Sequence, residues 1–126
     1  MKDKKTMPPD IEKRTFDFSI KIINFCRNAR TQDFINQVIL KQLIRSGTSI
    51  GANTTEGRAS SSKKDFINFH YHALKSARET KYWLHLLEES DTHPSVSEEG
   101  RTLFKEVDEI GKILGKIVIN SRKNLV

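Results

Sequence analysis

A cationic and aromatic stripe is the arrangement in this sequence with the clearest chemical potential. Residues 63–83 have helical periodicity, and within an arc of roughly 80° on the helical wheel lie Lys64, Tyr71, Lys75, Arg78 and Tyr82. Lysine and arginine neutralise phosphates while tyrosine rings stack on unpaired bases, the combination used to bind single-stranded or looped RNA. Tyrosine and arginine are also favoured at protein interfaces. The stripe therefore predicts a contact surface for either RNA or an acidic protein.

A second row of lysines lies further along the chain. Lys105, Lys112 and Lys116 fall opposite the apolar face of the last predicted helix. Solvation is the default explanation for such a row. Lys112 and Lys116 are nevertheless included in the predicted nucleic-acid-binding set.

The histidines do not have the spacing of a metal site. His70 and His72 are two residues apart, so on a helix they point about 200° from each other and cannot chelate one ion locally. His85 and His93 add no helpful helical spacing. With Cys26 as the only cysteine, a disulfide within the chain and a cysteine-based zinc site are both ruled out. We expect no metal and no cofactor.

Nucleophilic catalysis and nucleotide binding are also disfavoured. Ser46, Thr48 and Ser49 lack a local base. Gly47 and Gly51 resemble part of a phosphate-binding loop, but no Gly-Lys-Ser/Thr ending follows them. We therefore expect a protein that is not an enzyme; a composite active site between subunits is the remaining enzymatic alternative.

Length and composition indicate one domain. The 126 residues contain 36% hydrophobic and 30% charged residues, which is ordinary for a helical domain of this size. Residues 1–9 end in Pro8-Pro9 and predict a disordered lead-in, with the domain spanning 10–126. The sequence has neither a secretory signal nor an apolar run long enough for a membrane span, so a cytoplasmic location without membrane contact is expected.

The net charge of +6 is unevenly distributed. Residues 1–87 carry 16 Lys/Arg against 8 Asp/Glu, residues 88–109 carry 2 against 8, and residues 110–126 carry 4 against 0. A basic body with one acidic segment is a plausible footprint for a polyanion, although a well-solvated bundle also shows it.

Hydrophobic periodicity predicts four helices. The first begins at Ile11, the second is capped by Thr31 or Asp33 and ended by Gly57, and the third is capped by Ser61 or Ser62. The fourth follows a loop around Pro94 and carries its apolar face from Leu103 to Val118. Short connections between them predict an all-α, up-and-down antiparallel four-helix bundle.

Small residues dominate the second predicted helix between Ser46 and Ala52. Each glycine inside a helix costs about 1 kcal/mol relative to alanine, and close approach of another backbone is the usual reason for keeping it. We expect Gly47 and Gly51 to form a tight crossing with the third helix, whose centre at Ala73 and Ser76 is also small.

The first predicted helix has two opposed apolar faces. One carries Phe16, Ile20 and Ile23. The other carries Ile11, Phe18, Ile22 and Phe25. A helix on the surface of a monomer needs only one buried stripe, so one face is expected in the core and the other against a second subunit. The pattern alone does not distinguish the faces; we assign the oligomer interface to Ile11, Phe18, Ile22 and Phe25.

The segments RSGTSIGANTTEG (45–57) and KKDFINFHYHALKSARETKYWL (63–84) closely resemble the bacterial four-helix-bundle family of 23S rRNA intervening-sequence proteins. The matching positions are Arg45-Ser46, Ser49-Ile50, Ala52-Asn53, Glu56-Gly57, Lys64-Asp65-Phe66, Ala73-Leu74, Ser76 and Glu79. Thr54-Thr55 departs from the pattern, which usually has an apolar residue and alanine there.

This resemblance implies a homopentamer of four-helix bundles without enzymatic activity. Members are encoded within intervening sequences of large-subunit ribosomal RNA genes or stand alone. Similar basic pentamers serve as accessory proteins of diversity-generating retroelements, where they bind a reverse transcriptase and are expected to contact nucleic acid.

Two functional hypotheses follow. The first is an oligomeric protein that binds RNA or another nucleic acid through its basic surface. The second is an adaptor whose basic surface docks an acidic protein, such as a reverse transcriptase.

Overall fold

The computed structural model describes residues 11–29, 33–90 and 94–124, with side chains from residue 98 onward in the last segment. It contains α1 (Ile11–Asn28), α2 (Phe34–Ala59), α3 (Lys63–Ser90) and α4 (Pro94–Lys123). The predicted lead-in 1–9 and the alternative cap at Thr31 lie outside the described residues. All the regular structure in the described ranges is helical, so the predicted four-helix fold is confirmed.

Contacts between the helices show that neighbours run antiparallel. Thr15 of α1 meets Thr54 of α2, while Gly47 of α2 lies against Ile22 of α1. The same reversal relates α2 to α3, and α3 to α4. Each helix packs on the next, and α1 also packs on α4, which closes the bundle.

Two of the predicted caps are confirmed by their hydrogen bonds. The Asp33 carboxylate accepts from the Ile35 backbone N–H at 2.9 Å, and the Ser62 hydroxyl accepts from the Asp65 backbone N–H at 3.1 Å. Both bonds satisfy N–H groups that have no partner inside their own helix.

The predicted end of the second helix at Gly57 is wrong. Gly57 is helical without a positive φ, and α2 continues to Ala59 with Ser60 as its C-cap. Space rather than backbone conformation explains this glycine: a Cβ there would lie 2.6 Å from Cε1 of His70.

The glycines of α2 face a different helix from the one expected. A Cβ on Gly47 would lie 3.0 Å from Ile22, and one on Gly51 would lie 3.2 Å from the carbonyl oxygen of Thr15. Both neighbours belong to α1, so the tight crossing at these glycines joins α1 and α2. The prediction that they dock on α3 is wrong.

Hydroxyl groups occupy the side of α2 that does face α3. The Thr80 hydroxyl donates to Ser46 at 3.0 Å, and the Ser76 hydroxyl donates to Ser49 at 3.1 Å. Hydroxyls in a helix contact need such partners because desolvating a lone hydroxyl is costly. The small residues of α2 therefore serve two interfaces, glycines toward α1 and serines toward α3.

The predicted interface residues of α1 belong to the core of the protomer. Ile11, Phe18, Ile22 and Phe25 are each 1% exposed or less. A side chain already buried in one protomer has no surface left for a second subunit, so this assignment is wrong. The face left outside is the opposite one, where Phe16 is 63% and Ile20 44% exposed.

His70 is a core residue of α3. It is fully buried, its ring packs on Phe66 with centroids 4.2 Å apart, and Nδ1 lies 2.8 Å from the Phe66 carbonyl oxygen. A carbonyl oxygen only accepts, so Nδ1 carries a proton, and in the neutral ring Nε2 carries a lone pair. Within the described residues Nε2 has no hydrogen-bond partner. Burial lowers the pKa of His70, although the Phe66 carbonyl and the charge of Glu12 oppose this.

Two glycine substitutions should have opposite effects on stability. Gly57→Ala forces the buried His70 ring to move, and overpacking of this kind costs about 1–3 kcal/mol, so we expect a net loss despite the better helix propensity. At Gly115 of α4 an added Cβ would meet nothing within 4 Å, so Gly115→Ala should gain up to about 1 kcal/mol. Urea unfolding followed by circular dichroism measures both; a Gly57→Ala protein as stable as wild type would contradict the close packing.

Stability should depend on pH through His70. Because folding lowers the pKa of His70 from the ordinary value of 6.5, the unfolded chain binds a proton at this residue at a higher pH than the folded protein does. The free energy of unfolding therefore decreases as the pH falls from about 7 toward 5, by at most ~1.4 kcal/mol per unit for one proton. Urea midpoints across this range should fall less steeply for His70→Gln than for wild type. His72→Gln, an exposed change two residues away, is the control and should keep the wild-type slope.

Candidate nucleic-acid interface

A groove between α3 and α4 contains residues from both predicted basic rows. It has a volume of about 290 Å³. Its lining residues are Leu74, Ala77, Arg78, Lys81, Asp108, Gly111, Lys112 and Gly115. Arg78 and Lys112 were predicted from two separate helical patterns, and the antiparallel packing of α3 on α4 brings them to one site. Lys116 lies one turn beyond Lys112 and is exposed.

Two cations from different helices hold the ring of Tyr71 at one end of this groove. Nζ of Lys75 lies 5.7 Å from the ring centroid, and Cζ of Arg122 from α4 lies 5.2 Å from it. Both distances are within the range of a cation–π contact. The half-buried ring of Tyr71 is therefore in contact with two cations of the protein itself.

Lys64 and Tyr82 lie away from this cluster. They occupy opposite ends of the stripe, about 27 Å apart along the axis of α3 at 1.5 Å per residue. Tyr82 is exposed and contacts Trp83 edge to face, with ring centroids 5.0 Å apart. The seven predicted binding residues therefore do not form one compact site. Arg78 and Lys112 line the groove, while Tyr71 contacts Lys75 and Arg122.

Sequence patterns did not identify three residues of this surface. Lys81 donates to Asp108 across the groove at 2.7 Å, and Arg122 reaches Tyr71. Lys81 and Asp108 belong to different helices, so their pairing depends on the register between α3 and α4. The helical wheel of either segment alone contains no signal for it.

Asp108 is an acidic residue within a basic surface. Its carboxylate contacts Lys81 through one oxygen at 2.7 Å and Lys112 through the other at 3.3 Å. The hydrogen bond from Lys81, and after it that from Lys112, holds the pKa of Asp108 below its usual value. Arg78 forms no ion pair or hydrogen bond within the described residues, so its charge is available to a ligand.

Other chemistry has little support in the described part of the chain. In residues 11–29, 33–90 and 94–124, no group of three His, Cys, Asp or Glu side chains could hold a metal ion. Cys26 is buried in the core, and burial raises the pKa of its thiol to about 12, which leaves it as the unreactive thiol at neutral pH. None of the described helices combines the length and apolar character that crossing a membrane requires.

These features define a four-helix bundle with a basic groove between its third and fourth helices. The family model for the 23S rRNA-intervening sequence protein matches residues 9–116. The chain belongs to this family, as the motifs of α2 and α3 indicated.

A solved structure supports the same assignment. The chain resembles the crystal structure, at 1.70 Å resolution, of a protein with unknown function from the S23 ribosomal protein family of Bacteroides thetaiotaomicron VPI-5482. The two share 37% sequence identity with a TM-score of 0.74, over 86% of this chain and 97% of the other. A search of functionally curated proteins gave no match.

Proposed function

We propose that this protein is a non-enzymatic RNA-binding homo-oligomer that contacts phosphates through the α3–α4 surface. The observation that carries the proposal is the convergence of Arg78 and Lys112 in one groove, with Lys75 and Arg122 beside it at Tyr71. The lining includes a single acid, Asp108, and three cations. Binding to nucleic acid draws mainly on such neutralisation of phosphates, whose counterions are released.

The engagement of Tyr71 within the protein favours recognition of the RNA backbone over recognition of bases. Contacts to phosphates fix position without reading sequence. We therefore propose binding to structured RNA with little sequence preference, rather than base stacking along a single strand.

The oligomer is proposed from the apolar surface that the protomer leaves exposed. Phe16 and Ile20 lie on α1, and Phe34, Ile35 and Val38 are exposed at the start of α2. Monomeric proteins rarely expose large contiguous apolar patches, and those that occur mark interaction sites. A homopentamer is the assembly that the family resemblance favours.

The second candidate is a protein adaptor for an acidic partner such as a reverse transcriptase. Arg78 and the half-buried Tyr71 support it, because arginine and tyrosine are also enriched in protein interfaces. Two results together would favour the adaptor. The wild-type protein would pull down an acidic protein partner after nuclease treatment, and the same protein would not bind RNA.

Charge reversal should distinguish RNA binding at the groove from a general effect of the protein's net charge. In Lys75→Glu with Arg78→Glu, we expect the affinity for an RNA hairpin to fall about tenfold or more, and the slope of log K against log salt to become shallower by about 2. Fluorescence anisotropy over a salt series measures both quantities. Arg27→Glu with Lys41→Glu changes the net charge equally on α1 and α2 and should have a much smaller effect. Equal losses in the two proteins would contradict the assignment.

The interface should depend on the outer face of α1. Phe16→Asp with Ile20→Asp places two charges on exposed apolar positions, so light scattering should show an oligomer for wild type and a monomer for the variant. Ile119→Asp, at an exposed isoleucine on α4, is the control and should remain oligomeric. A wild-type monomer at micromolar concentration would contradict the proposal.

A further inference from the structure

The two lysines that share Asp108 are held very differently. Lys81 donates across the groove at 2.7 Å and its side chain is 34% exposed, and its ammonium also lies 5.4 Å from the ring centroid of Phe104. Lys112 lies 3.3 Å from the other oxygen and is 76% exposed. The first pair joins two helices, whereas the second is a solvated pair within one helix, a kind that contributes little to stability. Lys112 can therefore leave Asp108 without disturbing the contact between α3 and α4.

The floor of the groove is open to a ligand. Gly111 and Gly115 line it together with Ala77, and a Cβ built on Gly115 would meet nothing within 4 Å. The glycines of α2 differ, because a Cβ on Gly47 or Gly51 would press on α1. Close packing within the protomer accounts for Gly47 and Gly51 but not for Gly115. Beside this floor stands Arg78, which has no ionic partner among the described residues.

We propose that the Asp108 carboxylate is the ionic partner of Lys112 only until RNA binds. A phosphodiester group of the RNA then lies between Lys112 and Arg78 and replaces Asp108 as the partner of Lys112. Asp108 keeps its hydrogen bond to Lys81 in the bound state, so the groove retains its shape. This inference rests on the proposed RNA binding and adds a specificity-determining residue to it. The carboxylate repels an approaching phosphate and competes for Lys112, so a ligand with many phosphates along the basic surface outcompetes Asp108 more readily than an isolated phosphate does.

The ligand class follows from the arrangement of the cations. Lys75, Arg78, Lys112, Lys116 and Arg122 belong to two adjacent helices and extend beyond the groove itself. A run of cations longer than one pocket matches a polymer with a charge at every repeat, as in a polynucleotide backbone. An acidic segment of a protein, for which polyglutamate is the probe, is the competing occupant.

Removal of the Asp108 charge should strengthen RNA binding. In Asp108→Asn the amide oxygen can still accept from Lys81, but Lys112 is released and the repulsion of phosphate disappears. We expect the affinity for a fluorescein-labelled RNA hairpin to rise about two- to fivefold, the range of a solvated ion pair. Glu98→Gln is the matched control with the same change in net charge. It lies ten residues away on α4, about 15 Å along the axis and beyond the Debye length of about 8 Å at physiological salt, so its affinity should equal that of wild type.

A double-mutant cycle tests whether Asp108 acts through Lys112. Lys112→Met alone should weaken binding, and adding Asp108→Asn to it should recover much less affinity than the same change gives in wild type. Circular dichroism and urea unfolding confirm that each variant folds. A gain that is the same in both backgrounds, or an Asp108→Asn protein that binds no better than Glu98→Gln, would overturn the inference while leaving RNA binding intact.

Measurements on the wild-type protein show whether the inference about Asp108 or the proposed RNA binding itself is wrong. Wild type that binds neither the hairpin nor a single-stranded RNA overturns RNA binding itself. Displacement of a bound hairpin by polyglutamate as effectively as by unlabelled RNA, at equal charge concentration, would overturn the assignment of the groove to a phosphodiester.

Discussion

The close approach of α2 to both of its neighbours is the constraint on which the rest of the bundle depends. Toward α1 the contact is set by Gly47 and Gly51, where any side chain would press on Ile22 or on the backbone at Thr15. Toward α3 it is set by the hydroxyl pairs Ser46–Thr80 and Ser49–Ser76. The steric fit fixes the position of α1 against α2, and the hydrogen bonds fix the position and rotation of α3. The groove depends on this register, because the position of α3 along the bundle axis decides whether Lys81 lies opposite Asp108 of α4.

The sequence predicts a structural feature when the residues that determine it lie a few positions apart, and does not predict it when they lie on different helices. The four helices, and the caps at Asp33 and Ser62, follow from hydrophobic period and local hydrogen bonding, which depend on residues a few positions apart. The rotation of each helix against its neighbours does not. Both faces of α1 are apolar, so the wheel shows two candidates for the core and no means of choosing between Phe18 and Phe16. The choice comes from α2, whose glycines admit Ile22 to the interior.

Gly57 shows the same limit in a single residue. Glycine is the residue that most often ends a helix in the left-handed conformation, and the local sequence gives no reason to expect otherwise. The reason lies thirteen positions away in His70, whose ring fills the space that a side chain at residue 57 would need. In the candidate site, Arg78 and Lys112 were foreseeable as exposed cations from their wheels. The pairing of Asp108 with Lys81 was not, because it joins two helices whose register the separate wheels do not contain.

The arrangement of the four helices makes the two proposed surfaces compatible. Each helix packs on the next and α1 packs on α4, so the α1–α2 side and the α3–α4 side face away from each other. The exposed apolar residues Phe16, Ile20, Phe34 and Ile35 belong to the first side and the basic groove to the second. An oligomer formed through α1 and α2 would leave every groove accessible and repeat it once per subunit. One RNA spanning two or more grooves would then bind more tightly than a single groove allows, because the second contact is intramolecular. Competition from the Asp108 carboxylate would keep the affinity of each single groove modest. An oligomer of such grooves would therefore favour long structured RNA over short fragments.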